Sequence, residues 1–174
     1  MAVRNILRIG DSRLREKSVP VTEFATPALD ALLVDMLDTM HAADGAGLAA
    51  IQIGVPSRVM IFGVESNPRY PDVEPIPFTV LLNPEFDVVG DEKAGGWEGC
   101  LSVPDMRGFV TRHARIRYRG RDRHGVAVER EVDGFHARVF QHEFDHLEGI
   151  LYPDLLDDPL QFGYWEELEA SGLM

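Results

Sequence analysis

Residues 141–149, QHEFDHLEG, put two histidines four positions apart with a carboxylate directly after the first. On an α-helix, positions i and i+4 stand one above the other on a single face, so His142 and His146 can aim both rings at one metal ion. Glu143 then stands beside the ion, not on it. This pattern constrains the fold twice over. The segment has to be helical, and at least one further ligand has to be brought from elsewhere by the tertiary structure. Phe135 and Val139 lie seven and three residues before His142, on the same face, and so predict an apolar wall beside the ion. Gly149 predicts the end of this helix, and Pro153 prevents its continuation.

A chain of 174 residues with 45% hydrophobic content can bury a sizeable core as one domain, residues 1–174, without a metal to hold it folded. Its formal net charge of -12 argues against a nucleic-acid surface, since affinity for phosphates comes largely from lysine and arginine. Cys100 is the only cysteine, so no intramolecular disulfide forms and a reducing compartment is the simpler setting. The basic N-terminal stretch lacks an apolar run long enough for secretion, and Asp11 and Glu16 interrupt its likeness to a transit peptide. No apolar run is long enough to span a membrane. The expectation is a cytoplasmic protein with no membrane and no direct nucleic-acid partner.

The clearest helix is TPALDALLVDMLDTMHAAD, with Thr26 as its cap, Pro27 in its first turn and a core-facing stripe of Leu29, Leu32, Leu33, Met36, Leu37 and Met40. Residues 57–64 and 78–90 read as strands, and the proline-punctuated stretch 65–78 reads as a long loop within the domain. From Arg115 to Glu131 the apolar period is two, with a turn at DRHG. That predicts a hairpin whose outer face pairs arginine with glutamate. The expected class is α+β: one domain of antiparallel strands packed around a C-terminal helix that carries the HExxH motif.

Two histidines do not complete a catalytic site, and the third ligand separates the families. A third histidine after Gly149 would fall at position 152, which is Tyr152, so the metzincin pattern fails. Glu166 or Glu167 would serve in a thermolysin-like site. Cys100 in WEGCLS offers a strong thiolate ligand beside the small Gly99. Gly45 and Gly47 in GAGLAAIQIG permit close approach of backbone, or simply a tight turn, and Gln52 offers an amide donor. A closed four-ligand structural site is the third alternative.

Taken in order, GAGLAAIQ, EGCLS and QHEFDHLEG resemble the three motifs of the peptide deformylase family, across residues 45–149. The resemblance implies one divalent metal held by Cys100, His142 and His146, with Fe2+ the native ion and Zn2+, Ni2+ or Co2+ as substitutes. It implies removal of the formyl group from N-formylmethionyl nascent peptides, with Glu143 as acid and base. Gln52 and the backbone N–H of Leu101 are implied as the donors to the developing oxyanion. Gly45, Ala46, Gly47, Arg107, Val139 and Phe135 are expected at the substrate. Ala46 is smaller than the aliphatic residue usual there, which widens the pocket rim. Some members of the family carry a longer, basic C-terminal helix used at the ribosome. The tail after Pro153 is acidic here, so the ribosome is a partner that the family admits and this sequence does not show.

Overall fold

Residues 59–62, Val-Met-Ile-Phe, are apolar without alternation, and a strand of that kind is stable only if both of its faces are covered. The computed structural model, which describes residues 2–64 and 74–174, covers both. Strand β1 is Gly47–Ala49, β2 is Val59–Val64, β3 is Ile76–Val88, β6 is Arg115–Arg121 and β7 is Ala127–Asp133. They form an antiparallel sheet in the order β1-β2-β3-β6-β7. Helix α1, Pro27–Ala42, lies on one face, where Leu29, Leu33, Met36 and Met40 pack with Val59, Ile61 and Leu82. Helix α2, Gly134–Leu147, lies on the other, where Ala137, Val139, Phe140 and Leu147 pack with Met60, Phe62, Ile116 and Tyr118. Consecutive residues of β2 thus serve opposite helices, as the pleat requires.

The stripe and caps of α1 follow the sequence pattern. Thr26 accepts a hydrogen bond from the Leu29 backbone N–H at 3.2 Å, and Pro27 opens the first turn. Helix α2 stops as expected, with Gly149 just beyond it at φ 75°. Aromatic contacts fix its place on the sheet. The rings of Tyr118 and Phe140 stack with centroids 4.6 Å apart, and Phe86 meets Phe144 edge-on at 5.1 Å. Burying side chains of this size contributes about 2 to 3 kcal/mol each.

The second sheet is the part that the sequence pattern did not foretell. Strand β4, Lys93–Cys100, and β5, Val103–His113, form a long hairpin, and the short β8, Phe162–Tyr164, pairs with the far side of β5. Glycines at 95, 96 and 99 weaken the strand signal of β4. Helix α3, Trp165–Ala170, closes the described chain. Strand β3 begins at Ile76, so the end of the expected loop is strand. Residues 65–73 of that loop lie outside the described residues. The β6–β7 hairpin is present, with Arg117 and Glu131 2.7 Å apart. Arg119 instead meets Glu85 and Asp87 of β3, because β6 is flanked by a strand on each side. Among the described residues, no helix is long and apolar enough to cross a membrane.

Candidate metal centre

Helix α2 delivers His142 and His146 to the same face, and the turn of the β4–β5 hairpin brings Cys100 against them. One ligand atom from each of the three lies within 4.8 Å of the others. Cys100 Sγ and His146 Nε2 are 3.3 Å apart. Two such donors on one tetrahedral ion would stand about 3.5 Å apart, given metal–sulfur and metal–nitrogen bonds near 2.3 and 2.0 Å. The spacing and the thiolate–imidazole chemistry therefore suit a divalent first-row metal. Glu166 and Glu167, in contrast, are exposed at the start of α3 and take no part in the cluster. With three donors converging among the described residues, the thermolysin-like and closed four-ligand alternatives lose their support.

The histidines are held differently. His142 Nδ1 lies 2.9 Å from Glu98 Oε2, which leaves its Nε2 for the metal. Glu98 is itself clamped by Arg112, whose Nε and Nη2 each donate to it at 2.9 Å. Burial favours protonation of Glu98, but hydrogen bonds from Arg112 and His142 outweigh it and hold the carboxyl well below the usual carboxylate range. Asp145 pairs with the remaining end of Arg112. His146 is buried, which pushes its basicity well down, and its Nδ1 has no hydrogen-bond partner among the described residues. A neutral imidazole is the form that binds a metal.

Glu143 stands next to this cluster without being one of its donors. Burial, with His142 opposing and the Glu98 and Asp145 charges adding to it, pushes its carboxyl up to about 7. Its Oε2 is buried with no hydrogen-bond partner among the described residues. Gly47 lies directly over it, and a Cβ at Gly47 would collide with the Glu143 carboxylate. That contact is the physical reason for a glycine at this point of the GAGLAAIQ segment.

Gln52 is 1% exposed and sits in the 3-10 turn Ala50–Ile53 that follows β1. The Ala49 N–H donates to Gln52 Oε1 at 2.8 Å, so the Nε2 end is turned towards the cluster. That amide lies 3.1 Å from Ser102 Oγ and 3.6 Å from Cys100 Sγ. The Ser102 backbone N–H also approaches Cys100 Sγ, at 3.4 Å. One pocket is lined by Gly45, Ala46, Gly47, Gln52, Leu101, Phe135, Val139, His142 and Glu143 together with Cys100. Arg107 is not among its lining residues; its guanidinium covers Gly99, beside Cys100, and donates to the Met106 carbonyl at 2.9 Å.

Sequence reasoning missed the residues that support this arrangement. Glu98 stands two positions before Cys100, inside a motif already singled out, so its place could have been found. Asp145 and Trp97 likewise lie inside the quoted segments QHEFDHLEG and WEGCLS, whereas Arg112 and Arg138 carry no pattern that distinguishes them from surface charge.

A pair of helix-borne histidines, a thiolate from a sheet hairpin and an adjacent buried carboxylate, opening on one apolar pocket, define a metal-dependent hydrolase. The polypeptide deformylase family model matches residues 3–161, and the chain belongs to that family. Peptide deformylase 2 of Ralstonia nicotianae is 56% identical over 166 residues, covering 95% of this chain and 94% of that protein. Peptide deformylase 1 of Nitrosomonas europaea is 54% identical over the same length and shares. Among solved structures, the Met-Ala-Ser-bound class I type b peptide deformylase from Acinetobacter baumannii superposes with a TM-score of 0.86 at 38% identity. It covers 89% of this chain and 99% of its own. The peptide deformylase from Thermotoga maritima gives a TM-score of 0.81 at 35% identity, over 91% and 100%.

Proposed function

We propose that this chain, acting as one catalytic domain over residues 1–174, removes the formyl group from N-formylmethionine at the start of new polypeptides. The products are formate and a free α-amine. The observation that carries the proposal is the meeting of Cys100, His142 and His146 beside the unpartnered carboxylate of Glu143, in a pocket with Phe135 and Val139 on its wall. Cys100, His142 and His146 would hold the ion. When bound, a divalent metal at such a site acidifies water and polarises a carbonyl oxygen.

Glu143 holds and moves the proton. Its buried carboxylate takes a proton from the attacking water as the new carbon–oxygen bond forms at the formyl carbon. It then gives that proton to the amine nitrogen as the carbon–nitrogen bond breaks, so the atoms balance as formate and amine. A carboxyl poised near neutrality is suited to both directions of transfer. The Gln52 amide and the Leu101 N–H are the donors to the former carbonyl oxygen, where negative charge builds up. Support for Gln52 in this role is its fixed orientation, with Oε1 anchored by the Ala49 N–H. Gly45, Ala46, Gly47, Phe135 and Val139 share one pocket, and in this reading Phe135 and Val139 receive the methionine side chain while Arg107, packed on the pocket residue Gly99, meets the peptide backbone.

Membership of the deformylase family points to Fe2+ as the working ion, and the thiolate and imidazole donors would accept Zn2+, Ni2+ or Co2+ as well. The nascent peptide is the partner, and the cytoplasm is the compartment that goes with it. The test is formate release from formyl-Met-Ala-Ser by protein purified without oxygen. Release that stops on chelation and returns with added Fe2+ is expected. Absence of release from protein holding one metal per chain would overturn the proposal.

A further inference from the structure

One pocket residue on α2 is unexpected beside Phe135 and Val139 in a wall for an apolar side chain. Phe135, Arg138, Val139 and His142 fall at i, i+3, i+4 and i+7 on α2, so all four share the face turned to the pocket, and all four line it. Three of these suit a wall for a methionine side chain or a metal ligand. Arg138 is a cation whose side chain is only 12% exposed. Such a group is costly at this depth unless its donors are satisfied.

Both of its terminal nitrogens are partnered, and by the strands opposite. Nη2 of Arg138 donates to the Ala94 carbonyl at 2.7 Å, and Nη1 donates to the Val110 carbonyl at 2.9 Å and to Glu98 Oε1 at 2.7 Å. Arg138 therefore ties α2 to both β4 and β5 across the pocket. The room for it comes from Gly96, where an added Cβ would stand 3.0 Å from Arg138 Cζ. Gly96 does not itself line the pocket, and the atoms nearest an added Cβ there all belong to this arginine. With donors engaged in its plane, a guanidinium presents its weakly hydrated face to what lies beside it.

We propose that Arg138 is a specificity-determining residue: its guanidinium, seated on Gly96 and fastened to β4 and β5, walls the side-chain pocket and sets its width for an unbranched side chain. The inference rests on the deformylase reading. Removing Arg138 opens the wall, so larger first residues gain relative to methionine. Through Glu98, the same side chain also braces the carboxylate that holds His142, which makes it a positioning residue as well.

The experiment compares kcat/KM for formyl-Met-Ala-Ser and formyl-Phe-Ala-Ser in the wild-type protein, Arg138→Ala, Arg138→Lys and Gly96→Ala, with metal content measured for each. The wild-type protein is assayed first, and absence of formate there sinks the deformylase reading, not the role of Arg138. Given activity, Arg138→Ala is expected to lower the methionine-to-phenylalanine ratio about tenfold or more, the scale set by a change in pocket size. Arg138→Lys, which retains the stem and charge without the planar fork, should recover part of that ratio. Gly96→Ala should raise KM for the methionyl substrate about threefold or more by displacing the guanidinium, and should do so only while Arg138 is present. A ratio unchanged within about twofold in Arg138→Ala overturns the proposal, as that is below what one methylene decides. So does a Gly96→Ala effect that persists in the Arg138→Ala background. If Arg138→Ala does not fold, the ratio in Arg138→Lys decides: a fall supports the proposal and the wild-type value overturns it.

Discussion

His142 is oriented by Glu98: the Nδ1 and Oε2 atoms lie 2.9 Å apart, and Arg112 grips the same carboxylate with two further bonds. The metal centre thus depends on a strand residue that is not itself a ligand. Replacing Glu98 with Gln keeps the shape and removes the charge, and should weaken metal binding about 10- to 100-fold, as loss of such a brace typically does. Competition with a graded chelator measures it. Wild-type affinity in the variant would remove Glu98 from any role in holding His142.

Cys100→Ala and Glu166→Ala separate the two candidate third ligands. The first should lose bound metal while staying folded, since the core clusters around α1 and α2 do not depend on the thiol. The second should retain the wild-type metal content. Metal analysis after gel filtration reads both, and the reverse pattern would restore the thermolysin-like arrangement.

Gly47→Ala places a methyl group where the Glu143 carboxylate lies. Either the carboxylate turns away or the loop shifts, and in both cases the proton carrier is misplaced. Turnover should fall about 100-fold or more, since a displacement near 1 Å at a reacting group has that cost, with metal retained. Turnover within a few-fold of wild type would show that Glu143 tolerates the movement.

Phe140 is fully buried and stacks on Tyr118, fastening the metal-bearing helix to the sheet. Phe140→Ala should destabilise the protein by about 3 to 5 kcal/mol. Chemical denaturation followed by far-ultraviolet circular dichroism tests this, and a loss below about 1 kcal/mol would mean that the helix is held mainly elsewhere, given the usual cost of such a cavity.

Much of this architecture was legible because periodicity and caps report directly on burial. The stripe of α1, the stop at Gly149, the β6–β7 hairpin and the helix under His142 and His146 all follow from residue spacing. The β4–β5 sheet did not, since Gly95, Gly96 and Gly99 are there to admit Phe109, Arg138 and Arg107 and so erase the strand signal. The same holds for the ion network of Glu98, Arg112, Asp145 and Arg138. Its members lie far apart in the chain, and only the packing of hairpin on helix brings them together. Arg107, expected at the substrate, covers Gly99 beside Cys100, a placement no linear pattern distinguishes.

The most direct measurement is formate release from formyl-Met-Ala-Ser by the wild-type protein and by Glu143→Gln, each loaded with Fe2+ under anaerobic conditions and shown to hold one metal per chain. Glu143 is placed beside the metal donors and not among them, so the variant should keep its metal and lose about 10³-fold or more in kcat, the order expected when a general acid–base group is removed. Loss of the metal from Glu143→Gln, or turnover equal to the wild-type protein with the metal in place, would contradict the role of this carboxylate.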